Sequence, residues 1–149
     1  MSTKVTESHW DQNGKILFTS LKGNVDEADI FAWKHTLSVA VASIPTNTEF
    51  KVLLDLNGFD PVSISAHKAM RNVIPELLAT HGLRPAFIDL FDEKPEMIIS
   101  CDDGKRCTAF ANVHHDPNKM ADYRKRIGGD RQQFFTDKDQ AAQWLNGLA

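Results

Sequence analysis

Residues 50 to 56, "FKVLLDL", constrain the fold of this chain more than any other stretch. The run is too short for a typical helix and is apolar at odd and even positions alike, which is how a β-strand covered on both faces reads. A strand of that kind sits within a sheet and has helices packed against it. The chain has 149 residues, 42% of them apolar and 25% charged, enough to build a real core. A single domain over residues 1–149 is expected.

The segments around this strand alternate in period. "KVTESHW" and "KILFTSLKG" are strand-like and separated by "DQNG", where Asn13-Gly14 suits the positive φ of a tight turn, so an opening β-hairpin is expected. Asn24 or Asp26 can cap a helix that carries Ile30, Trp33, Leu37, Val41 and Ile44 as one stripe and stops at Pro45. Beyond the strand, residues 65 to 81 read as a helix with a kink or break at Pro75, closed by Gly82. "RPAFIDLF" reads as a strand, and "EMIIS" with "RCTAFANVH" as a hairpin around "DDGK". A helix over residues 117–127, a short strand "RQQFF" and a closing helix capped by Thr136 complete the chain. Strands alternating with helices make an α/β sheet.

Charge and motifs exclude several classes of function. A formal net charge of −3 gives no global field towards nucleic acid or anionic lipid, and the basic run "YRKRIGGDR" reads as a solvated helix face. No apolar stretch approaches the ~20 residues of a membrane span. The segment "MSTKVTESHWDQ" has no signal-peptide character, so a cytoplasmic location is expected. The sequence has no Gly-x-Ser-x-Gly elbow, Walker loop, dinucleotide fingerprint or metal-binding His-Glu-x-x-His, and neither a cofactor nor a metal is expected. The two cysteines, Cys101 and Cys107, flank the expected hairpin. A two-residue turn would set their sulfurs on opposite faces, whereas a three-residue loop would set them opposite one another.

Two short stretches carry the candidate site. Ser63 and Ser65 stand where a helix begins, and a serine hydroxyl there accepts a hydrogen bond from an amide two or three residues on. In "VHHDPNKM", His114, His115 and Asp116 are metal-ligand types, and a histidine there could act as an acid or base near neutral pH. Adjacent strand residues point to opposite faces, which argues against one ion held by both. Asp116-Pro117 also has the form of a helix cap and first turn. The histidines lie at the carboxyl end of an expected strand, where α/β proteins commonly place ligands.

The order of elements resembles the STAS family, which includes anti-sigma-factor antagonists and the cytoplasmic domains of sulphate transporters. The resemblance rests on the opening hairpin, the "KVLLDLNGF" strand, the helix opening on serines and the closing "FFTDKDQAAQWL". It covers the chain except for roughly residues 83 to 105, expected to be an inserted strand and hairpin. It implies a mixed sheet with helices packed against it, and a kinase or anti-sigma-type partner. Ser65 falls where that family is phosphorylated, although "SISA" replaces the family's Asp-Ser-Ser/Thr-Gly.

These readings lead to a non-enzymatic regulatory module that binds a protein partner or small ligand, with no nucleic acid and no membrane insertion. Its site residues would be Asp60, Ser63, Ser65, His67, His114 and His115. The rival is an enzyme or metal-dependent site centred on His114, His115 and Asp116, with Cys107 or Asp89. A third expectation is a homodimer packed through Phe87, Phe91 or the inserted hairpin.

Overall fold

The computed structural model describes residues 3–86 and 98–148. Its strands are β1 (Val5–Asp11), β2 (Ile16–Val25), β3 (Glu49–Leu56), β4 (Phe59–Pro61), β5 (Arg106–His114) and β6 (Gln132–Phe135). Its helices are α1 (Glu27–Ala42), α2 (Ile64–Arg71), α3 (Val73–Thr80), α4 (Pro117–Ile127) and α5 (Lys138–Asn146). The sheet is ordered β1-β2-β3-β5-β6, with β4 paired to the far end of β2. The β1–β2 hairpin is antiparallel and the other described pairs are parallel, so the sheet is mixed.

The doubly apolar run lies at the centre of this sheet, as its composition requires. Phe50, Val52, Leu54 and Leu56 of β3 face the larger core, packed with Ile30, Trp33 and Leu37 of α1 and with Ile74 and Leu78 of α3. Leu53 faces the opposite side, into a smaller core with Ala109, Ala111 and Val113 of β5 and Ala141 and Leu145 of α5. The polar Asp55 on that side is only 2% exposed, and it is matched by Lys22 Nζ at 2.8 Å and by the Asn57 amide at 3.0 Å.

Helix ends follow local chemistry. Asp26 caps α1 and forms a reciprocal capping box with Asp29. Neither α1 nor α5 has a basic residue in its last turn. Each instead receives a lysine from a distant part of the chain. Lys105 Nζ donates to Val41 O at 2.9 Å, and Lys51 Nζ donates to Leu145 O at 2.6 Å. Burial, with a smaller contribution from Arg131, lowers the Lys51 pKa.

Four expectations need correction. The opening hairpin turns through four residues, since Asp11 pairs with Ile16, and its left-handed residue is Lys15 (φ 55°), not Asn13 or Gly14. The expected 65–81 helix is two helices that break at Asn72, upstream of Pro75. The reason is steric: a continuous helix would drive the proline ring into the Arg71 carbonyl, whereas restarting at Asn72 puts Pro75 in a first turn that needs no amide from it. Helix α5 is capped by Asp137, whose carboxylate accepts the Asp139 amide, so Thr136 does not serve as its cap.

The fourth correction concerns the insertion. Ile98–Ser100 form no strand, Cys101 makes one antiparallel bridge with His81, and Asp102–Gly104 form a single 3-10 turn. The expected hairpin onto β5 is therefore replaced by pairing of β5 with β3, in which Cys107 stands beside Phe50. Neither cysteine register arises and both thiols are free. Burial pushes the Cys107 thiol up to about 12, so it stays protonated and unreactive. Phe87, Asp89 and Phe91, and with them most of the "RPAFIDLF" strand, lie outside the described residues.

Candidate functional site: a cleft at the carboxyl ends of β3 and β5

The register of the two central strands sets the floor of a cleft. Leu54 lies beside Asn112 and Leu56 beside His114. Period-two alternation then brings all four to one face of the sheet. The spacing of four residues on a helix does the same for the walls: His67 and Arg71 share one face of α2, and Lys119 and Tyr123 share one face of α4. With Met70, Ile74, Pro75 and Met120 these residues enclose about 130 Å³. A larger groove of about 370 Å³ between α1 and α3 opens more widely to solvent and carries Lys34 and Glu76, charges of opposite sign.

The histidine pair is arranged differently from the alternation argument. The rings of His114 and His115 stack, with centroids 4.1 Å apart and planes 23° apart. They can do so because β5 ends at His114 and His115 already belongs to the bend before α4. Each ring accepts a backbone amide at Nδ1: His114 from Asp116 at 3.1 Å and His115 from Gly58 at 3.0 Å. An accepting Nδ1 fixes the proton of the neutral ring on Nε2. Burial, then His115 and Lys119, lowers the His114 pKa to about 4, with Asp116 opposing.

His67 stands on the facing wall, tilted against Phe59 with 6.3 Å between centroids. Its pKa is lowered by burial and then by the charges of Lys119 and Arg71. Burial raises the Tyr123 pKa, with a smaller contribution from Asp122. Lys119 Nζ lies 5.7 Å from the Tyr123 ring centroid. The Asn112 Oδ1 is buried and has no hydrogen-bond partner.

The structure thus brings His67 and His114 into one cleft and stacks His115 on His114 outside its lining. Asp60, Ser63 and Ser65 lie elsewhere. Asp60 receives the Asn24 side-chain amide at 3.2 Å. Ser63 caps α2 by accepting the Ala66 amide at 3.0 Å, and the Ser65 hydroxyl donates to the Glu27 carboxylate of α1. The Asp116 carboxylate caps α4, accepting the Asn118 and Lys119 amides. Among the described residues no three His, Cys, Asp or Glu side chains group closely enough to hold a metal ion. No helix among them is long and apolar enough to cross a membrane.

Sequence reasoning missed Asn112, Lys119 and Tyr123. Their signal was present as Asn112-x-His114 at strand spacing and Lys119-x-x-x-Tyr123 at helix spacing. What was lacking was the strand order that turns α2 and α4 towards one cleft.

A crystal structure from Shewanella loihica, that of an uncharacterized DUF3478-family protein with a SpoIIAA-like fold, superimposes on this chain with a TM-score of 0.54. The match covers 97% of this chain and 95% of the other, at 19% identity. The fold is SpoIIAA-like. No family model matches the sequence, and neither does any curated protein. At such low identity, the SpoIIAA-like likeness speaks for the path of the backbone and not for the residues of the cleft. It agrees with the mixed sheet and packed helices expected from the order of elements.

Proposed function

We propose that this SpoIIAA-like protein is a non-enzymatic cytoplasmic regulatory module that takes a small ligand in the β3–β5 cleft. A protein partner reads the result at the adjoining edge, from Asp60 to His67. One observation carries the reading: polar groups from α2, β5 and α4 converge over an apolar floor at the carboxyl ends of central parallel strands. The edge beside it presents Ile64, 76% exposed, and Val62, 49% exposed. His67 belongs to both surfaces, so occupation of the cleft is felt at the edge.

The test is an amide and side-chain NMR titration with a set of small acids, amides and alcohols. Binding is expected to perturb His67, Asn112, His114, Lys119 and Tyr123 together. Perturbations confined to other surfaces would sink the reading. For the partner edge, tagged protein and its Ile64→Glu variant are compared as baits in lysate of the native host. A specific protein retained by the first and lost by the second is expected, and equal retention by both removes the edge from the proposal.

A further inference from the structure

We infer that the ligand of this cleft is a small organic monoanion, a short aliphatic carboxylate whose head lies between Lys119 and the Nε2–H of His114. The inference rests on the binding reading above and specifies its chemistry. Charge is the first argument. Among the described residues no acidic side chain lines the cleft, and Lys119 brings it a positive charge. The nearby Asp116 carboxylate is engaged by two backbone amides of α4.

Hydrogen-bonding capacity is the second argument. With Nδ1 of His114 occupied by the Asp116 amide, the ring has only its Nε2–H to offer the cleft. Among the described residues Lys119 Nζ forms no ion pair, and its one described contact is the Tyr123 ring. Tyr123 lines the same cleft and carries a phenol donor, whereas the unpartnered Asn112 Oδ1 is itself an acceptor and takes no part in holding the anion. An ammonium, an imidazole N–H and a phenol lining one cleft suit an acceptor-only, negatively charged group.

Size and floor decide the rest. Leu54, Leu56, Met70, Ile74 and Met120 make the floor apolar, so the anion has a hydrocarbon body and is not a bare inorganic ion. A volume of about 130 Å³ is well below the ~300–1,000 Å³ of drug-sized sites. A chain of four to six carbons matches that space, and a long acyl chain exceeds it.

The experiment compares sodium pentanoate, pentanamide, sodium dodecanoate and inorganic phosphate by calorimetry and by NMR of the full-length protein, with Lys119→Met and Lys119→Arg variants checked for folding by circular dichroism. Pentanoate is expected to shift Asn112 and His114 saturably. Pentanamide, phosphate and dodecanoate should each bind on the order of tenfold more weakly than pentanoate. Lys119→Met should weaken pentanoate by about tenfold, while Lys119→Arg holds it within about threefold. Pentanamide binding as tightly as pentanoate, or Lys119→Met without effect, overturns the anion while leaving the cleft as a binding site. Phosphate or dodecanoate matching pentanoate overturns the short organic body. If neither the acid nor the amide perturbs the cleft, both this inference and the binding reading fall.

Discussion

His114 accepts the Asp116 amide in its neutral form, and protonation at Nδ1 would break that bond. Its pKa in the folded chain is about 4, against 6.5 for the unperturbed group. Below pH ~6.5 the unfolded chain therefore takes up a proton that the folded chain refuses. The stability from neutral His114 is complete above that pH and is lost as the pH falls towards 4. A His114→Asn variant keeps an acceptor for the Asp116 amide but cannot titrate. Its urea midpoint is expected to fall less between pH 7 and pH 5 than that of the natural protein, and parallel declines would contradict this. Ser65 gives a second prediction at this scale. A carboxylate or phosphate there would face Glu27 in place of the present hydroxyl donation. Ser65→Asp should lose ~0.5 kcal/mol, and Glu27→Gln should restore most of it in a double-mutant cycle. The cap at Ser63 was legible because capping is local chemistry. The stacked histidines were not: Asp116-Pro117 marks the end of the strand, but alternation holds only while a strand continues, and nothing local says which way His115 turns beyond it.

Elements were legible where their signals are local, and misread where a distant partner decides. The α1 stripe could be seen in sequence and its cap narrowed to Asn24 or Asp26; the structure uses Asp26, and Asp26→Ala is expected to cost ~1–2 kcal/mol by thermal or urea denaturation, since the whole capping box is lost. The region before β5 shows the opposite case. "DDGK" between two apolar runs has hairpin chemistry, yet β5 lies against β3 along eight register pairs, and a hairpin would have taken that edge. A sheet-level contact overrode a turn-level signal. The β2–β3 pairing supplies its own test in Lys22 and Asp55. Lys22 is 32% exposed and Asp55 only 2%, so removing the lysine leaves a buried carboxylate with one amide donor. Lys22→Met should therefore destabilise by roughly 2 kcal/mol, below the ~3–5 kcal/mol of fully buried pairs. Replacing both residues by apolar ones should cost less than the single change, and a larger cost for the double variant would refute the argument.

At the scale of the whole molecule the two faces of the sheet are unequal. The larger core contains residues of α1, α2 and α3, while the smaller one is closed by α5 alone among the described helices. Leu145 is fully buried in that smaller core. Leu145→Ala is expected to lose ~3 kcal/mol, read from urea denaturation, with loss below ~1 kcal/mol counting against α5 as the sole cover. The overall architecture could be read because one doubly apolar strand demanded it. The cleft could not, because its walls come from helices about fifty residues apart in sequence.

The two lysines that close α1 and α5 also set an order of assembly. Lys51 is synthesised long before α5, so that helix finds its cation already made. The end of α1 waits longer: Val41 is made 64 residues ahead of Lys105, and until the approach to β5 has been translated its carbonyl has only local amides, that of Ile44 at 3.1 Å. Helix α1 thus meets its lysine only well after its own synthesis, whereas α5 can meet its own as soon as it forms.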